Sequence, residues 1–109
     1  MALQHFDTDT TIVAPSTASG GAVAVIRLSG CHSISIADRM FRGSKPLSSA
    51  KGYTLHYGDI VNEYGEVIDD VVVALLRTPL SYTGDDTVEI TIHGSEYITS
   101  EVLRIAIHY

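Results

Sequence analysis

Three runs of β-branched and other apolar residues constrain this chain more than any other feature: AVAVIRL at Ala22 to Leu28, VVVALL at Val71 to Leu76, and VEITI at Val88 to Ile92. Valine and isoleucine lose side-chain freedom in a helix but pack well on a pleated surface, so a purely helical bundle leaves all three runs unexplained. The last run alternates. Val88, Ile90 and Ile92 fall on one side, and Glu89, Thr91 and His93 on the other. One side of that strand can meet a core while the other shows a carboxylate, a hydroxyl and an imidazole.

The remaining elements arrange themselves around these runs. Thr11 to Ala14 reads as a short strand stopped by Pro15, and the small residues Ser16 to Gly21 as a connection. Ser33 to Phe41 carries Ile34, Ala37, Met40 and Phe41 about one helical turn apart, with Ser33 as a possible cap and Arg42-Gly43 as a stop. Leu47 to Lys51 reads as a connector. Tyr53, Leu55 and Tyr57 alternate in a strand that Gly58 is expected to end. Ile60-Val61, the acidic turn Asn62 to Glu66 and Val67-Ile68 form a hairpin. Val71 to Leu76 follows as a strand expected to be buried on both faces and closed by Pro79. A helical stripe at Ile98, Val102, Ile105 and Ala106 marks Tyr97 to Ile107. The expected fold is α+β or mixed α/β, with about five strands and two helices. The last helical pattern reaches Tyr109 without a cap, as expected of a segment of a longer protein.

Composition removes several classes of function. A chain of 109 residues fits one domain, and 45% hydrophobic with 18% charged residues argues against disorder. Seven basic against thirteen acidic residues give a formal charge of -6, which disfavours a broad nucleic-acid footprint. Cys31 is the only cysteine, so an internal disulfide framework is excluded and an intracellular, cytoplasmic setting is expected. Neither a secretory leader nor a membrane span is expected. No HExxH pattern, spaced acidic loop, GxxxxGK[ST] or GxGxxG motif occurs, so zinc, calcium, nucleotide and dinucleotide sites are not expected.

The chemistry concentrates in SYTGDDTVEITIHG, Ser81 to Gly94. Asp69-Asp70 reads as a turn or solvated edge. Asp85-Asp86 also suits a turn, but its neighbours Tyr82, Thr83 and Glu89 make a binding site a competing reading. His93 is as well explained by packing as by a small-molecule pocket, and Gly94 would let a ligand approach the main chain. Arg27 interrupts an apolar strand, where a guanidinium suits a carboxylate, a phosphate or a structural ion pair. Tyr53, Tyr57 and Tyr97 suit packing or a partner surface. Cys31 reads as a structural thiol, and His56 as surface or packing chemistry.

Taken with DTDTTIVAP and GGAVAVIRLSG, this segment resembles the N-terminal domain of the MnmE/TrmE family of tRNA-uridine-modification GTPases. The three blocks occur in the family's order, and the resemblance covers residues 1-109 almost entirely. It implies a fold resembling tetrahydrofolate-binding modules, homodimerisation, and binding of formyl-tetrahydrofolate or a related reduced folate as a one-carbon donor. Arg27 would lie near an acidic ligand group or a dimer interface. Tyr82, Thr83, Asp85, Asp86, Glu89 and His93 would surround the pterin ring, with Gly94 permitting close approach. No residue is expected to be catalytic and none to bind metal. In the family, later helical and GTPase domains use GTP, potassium and magnesium. The whole protein works with the partner flavoprotein MnmG/GidA on tRNA wobble uridine. The family's small-residue loop has a basic residue missing here, Asp85 stands for its glutamate, and Ser95 stands for its second glycine. The alternative is a structural dimerisation domain without substantial folate affinity.

Overall fold

The computed structural model describes residues 11–17, 21–50, 52–77 and 86–109. Its strands are β1 (Ile12–Pro15), β2 (Val23–Ser29), β3 (Phe41–Gly43), β4 (Thr54–Val61), β5 (Val67–Leu76) and β6 (Thr87–His93); the helices are α1 (Ser33–Met40) and α2 (Glu96–His108), with a 3-10 turn at Leu47–Ser49. The strands form one sheet in the order β1-β2-β6-β5-β4-β3, and every neighbouring pair is antiparallel. Strands β2 and β3 therefore run parallel at a distance, with α1 in the crossover between them. The chain then returns strand by strand until β6 fills the place between β5 and β2.

Period-two patterning makes one face of this sheet the core. Ala24 lies opposite Ile92, Ile26 opposite Ile90 and Leu28 opposite Val88, while Val73 and Leu75 of β5 meet Ile90 and Val88 from the other side. Ile34, Ala37 and Met40 of α1 and Val102, Ile105 and Ala106 of α2 close the same cluster. Both helices thus cover one face. The alternation predicted for Val88 to Ile92 and the stripe predicted for α2 are both borne out, with Ile98 partly buried at the edge of the cluster.

Several expectations require correction. Among the described residues the sheet has six strands rather than about five, because Phe41 leaves α1 to start β3 and its ring turns into the core. Gly58 does not end β4. It pairs with Gly43, and a Cβ there would collide with the Arg42 carbonyl and lie 2.7 Å from the Phe41 ring, so its bare backbone admits the edge strand. Ser33 is not the cap of α1: its hydroxyl donates to the Asp86 carbonyl oxygen at 2.8 Å, and His32 stands at the N-cap. Val67–Leu76 is a single strand, and Val71 to Leu76 is not buried on both faces, since Val72 is 40% exposed.

Three polar devices fix the periphery. Asn62 closes the β4-β5 turn, its Oδ1 accepting from the Tyr64 and Glu66 N–H groups. Arg104 of α2 then donates to both oxygens of Glu63 in that turn, and the pair holds the Glu63 carboxyl down at about 2. Ser95 caps α2, its hydroxyl oxygen accepting from the Ile98 N–H at 3.2 Å. Ser95→Ala is expected to lower stability by about 1 kcal/mol, measured by urea denaturation, because an orphan N–H loses its acceptor.

Candidate functional site

The sheet face opposite the helices carries three of the polar residues singled out in the sequence, Arg27, Glu89 and His93, embedded in apolar surroundings. Arg27 and Glu89 are register partners on β2 and β6. Nε and Nη2 of Arg27 both donate to Oε2 of Glu89, at 2.9 and 2.7 Å. Along the sheet, the next row runs Tyr57, Val72, Thr91, Val25, and Leu55 lies across from Ala74, which pairs with Glu89. Val23, Leu55 and Tyr57 are each more than half exposed. An antiparallel sheet facing water normally carries polar residues on that side; here the ion pair sits among apolar and aromatic groups.

A second polar centre lies at the far end of β6. The Asp69 carboxylate accepts the His93 backbone N–H through Oδ2 at 2.8 Å, and its Oδ1 lies 2.7 Å from the His93 Nδ1. Asp69 shows only 6% of its side chain to solvent, against 62% for His93. Asp70 Oδ1 stands 4.0 Å from the same Nδ1, and the Tyr57 hydroxyl donates to Asp70 Oδ2 at 3.3 Å. The hydrogen bond and the charge of Asp69, then the charge of Asp70, raise the His93 pKa above its ordinary value, while desolvation opposes the shift. The Asp70 charge likewise raises the Tyr57 hydroxyl. Because the folded pKa of His93 is raised, its contribution to stability is complete below pH about 6.5 and is lost as pH rises through the raised value. Val23, Tyr57, Val72, Thr91 and His93 line a shallow cleft of about 190 Å³.

Asp69 corrects the reading of Asp69-Asp70 as a turn or solvated edge. Only Asp70 is exposed; Asp69 is buried within β5. The signal was its parity, since Asp69 shares a side of the strand with Val71, Val73 and Leu75, where a carboxylate needs partners. Asp69, Asp70 and His93 hold ligand-type atoms within 4.8 Å of one another. Hydrogen bonding accounts for that closeness, because both Asp69 oxygens are engaged by His93.

Those of the proposed site residues that the structure describes do not all converge on one point. Glu89 and His93 share the open face but lie four residues apart, about 13 Å along the strand. Asp86 precedes β6, about 23 Å from His93, and its carbonyl accepts from Gly30 N–H and the Ser33 hydroxyl. One pterin ring cannot touch both ends. The space that a side chain at Gly94 would take is filled by the Gly21 carbonyl, so close approach there is made by the chain's own backbone. Tyr82, Thr83 and Asp85 lie outside the described residues, as does Pro79.

Comparison with known proteins decides the family. The sequence model described as "GTP-binding protein TrmE N-terminus" matches residues 11–109. The chain belongs to the TrmE N-terminal family. Among relatives named tRNA modification GTPase MnmE, the protein of Parabacteroides distasonis is 53% identical over 98 residues, covering 86% of this chain and 21% of the relative. Those of Bacteroides thetaiotaomicron and Listeria welshimeri are 51% and 49% identical, over 89% and 87% of this chain and 21% of each relative. The chain thus spans about one fifth of the length of these relatives, and the matched part is the family's N-terminus rather than a GTPase domain.

Within this TrmE N-terminal domain, the three sequence blocks come together in space. TTIVAP supplies β1, GGAVAVIRLSG supplies β2, and TVEITIHG supplies β6, and these are three adjacent strands. The small-residue loop continues the pairing: the Ser16 N–H donates to the Val25 carbonyl and the Thr17 hydroxyl oxygen accepts from the Val25 N–H. Among the described residues, no helix is long and apolar enough to cross a membrane.

Proposed function

We propose that this domain binds formyl-tetrahydrofolate or a related reduced folate on its open sheet face, and that a second copy of the chain covers that face. The observation that carries the reading is the Arg27–Glu89 pair set among exposed apolar residues. The 2-amino-4-oxo edge of a pterin offers adjacent N–H donors, much as a guanidinium does, so it suits the carboxylate that Arg27 engages in the free chain. Exchange of one fork for the other would turn Arg27 toward an anionic group of the ligand or of the second copy. Burying Val23, Leu55, Tyr57 and Val72 supplies the apolar area that a homodimer needs.

Its relatives are named tRNA modification GTPases, and on that ground we assign the domain to such an enzyme, acting in the cytoplasm. One-carbon donor binding here would feed wobble-uridine chemistry carried out with a flavoprotein partner, while GTP, potassium and magnesium belong to a GTPase domain. Calorimetric titration with formyl-tetrahydrofolate tests the reading. Saturable binding is expected, and Glu89→Gln should weaken it at least about tenfold by removing a charged acceptor. Absence of saturable binding in both monomeric and dimeric samples would leave the dimerisation role alone, which the apolar face favours independently.

A further inference from the structure

The Asp69–His93 pair has a geometry that packing alone does not require. A buried carboxylate engages two atoms of an exposed histidine, one on the backbone and one on the ring. Holding the backbone N–H fixes where the residue sits, and holding Nδ1 fixes which way the ring turns. The proton on Nδ1 is committed to Asp69, so Nε2 is the nitrogen left to a ligand.

We propose that Asp69 is a positioning residue that locks His93 so that Nε2–H donates to a neutral carbonyl oxygen of the bound folate, the amide carbonyl of its benzoyl-glutamate tail. This rests on the folate reading above. Three features select that atom. His93 lies about 13 Å along β6 from Glu89, so a ligand whose pterin engages Glu89 reaches His93 with its tail rather than its ring. His93 borders the apolar cleft lined by Val23, Tyr57 and Val72, which suits the flat benzoyl group between ring and amide. Among the described residues, the groups facing His93 are acidic or neutral: Asp69 and Asp70 from β5, Tyr57 from β4, Val23 from β2 and Thr91 on its own strand, with Asp59 opposite Asp70. That field repels a carboxylate and tolerates a neutral acceptor, while it favours the doubly protonated ring that can donate from Nε2.

The test compares two ligands, formyl-tetrahydrofolate and 6-methyltetrahydropterin, which keeps the ring but lacks the tail. Calorimetry on the wild type, His93→Gln and Asp69→Asn at pH 6 to 9 is read beside ¹⁵N spectra of the His93 ring. His93→Gln and Asp69→Asn are each expected to weaken formyl-tetrahydrofolate about tenfold or more at neutral pH while leaving the pterin's affinity unchanged. Wild-type affinity for the folate should fall as pH rises through the His93 midpoint, and Asp69→Asn should move that midpoint down toward 6.5. Equal loss for both ligands, or no loss in His93→Gln, overturns the tail contact. An unchanged midpoint and tautomer in Asp69→Asn overturns the positioning role. His93 is exposed, so its variant keeps the ligand test available if Asp69→Asn does not fold. Binding of both ligands with no His93 effect on formyl-tetrahydrofolate rejects this inference and leaves the folate reading standing, whereas binding of neither ligand rejects both, with the spectra still judging the Asp69 lock.

Discussion

Alanine at Gly94 is expected to destabilise the domain by about 3 kcal/mol or more, at the upper end of overpacking costs. The added methyl would run into the Gly21 carbonyl oxygen and lie 2.8 Å from its carbon and 3.1 Å from the Ala22 carbonyl carbon. These are backbone atoms, so no rotamer change relieves the collision. Relief requires moving the Gly21-Ala22 segment, which costs the 2.9 Å hydrogen bond from Gly94 N–H to the Ala22 carbonyl. The shift also disturbs the start of β2, where Val23 pairs with His93. Chemical denaturation reads the loss directly. A variant within about 0.5 kcal/mol of the wild type would show that this crossing is not tight in solution.

Val72→Glu carries the largest expected effect on assembly. Val72 sits in the middle of the open face, flanked by Tyr57 on β4 and Thr91 on β6. Closed under a second copy, a glutamate there would be a buried, unpaired charge close to Asp70, costing on the order of 3–5 kcal/mol. The dimer dissociation constant should therefore rise by roughly two to three and a half powers of ten, measured by sedimentation equilibrium. In the monomer the side chain points to water, so the far-ultraviolet circular dichroism and the denaturation midpoint should change little. A dimer of undiminished strength would move the interface to another face of the molecule.

What the sequence disclosed follows the range of the interactions involved. Val88, Ile90 and Ile92 alternate with polar residues, and that local rhythm was enough to orient β6. In VVVALL the rhythm is hidden, because Val72 and Ala74 face the open side yet are as apolar as Val71, Val73 and Leu75 on the core side. The two-sided burial that this run suggests is absent in the single chain, and the homodimer proposed above would supply it. Strand β3 was missed because three residues carry no period, and it forms only where Gly43 and Gly58 admit the Phe41 ring. The Asp69 partnership was illegible for a different reason. Two adjacent aspartates read locally as a turn, while the histidine that engages the first lies 24 residues further on.

The order of strands also sets a timetable. Arg27 waits 62 residues for Glu89, because β6 enters the sheet last, between two strands already made. Contacts of such separation are entropically costly to close and slow to form. During synthesis, the inner edges of β2 and β5 stay unpaired until residues 87–93 have emerged, which exposes two strand edges to mispairing. The strand that carries Glu89 and His93 is thus also the one that joins the two halves of the sheet, so the open face cannot exist before the fold is complete.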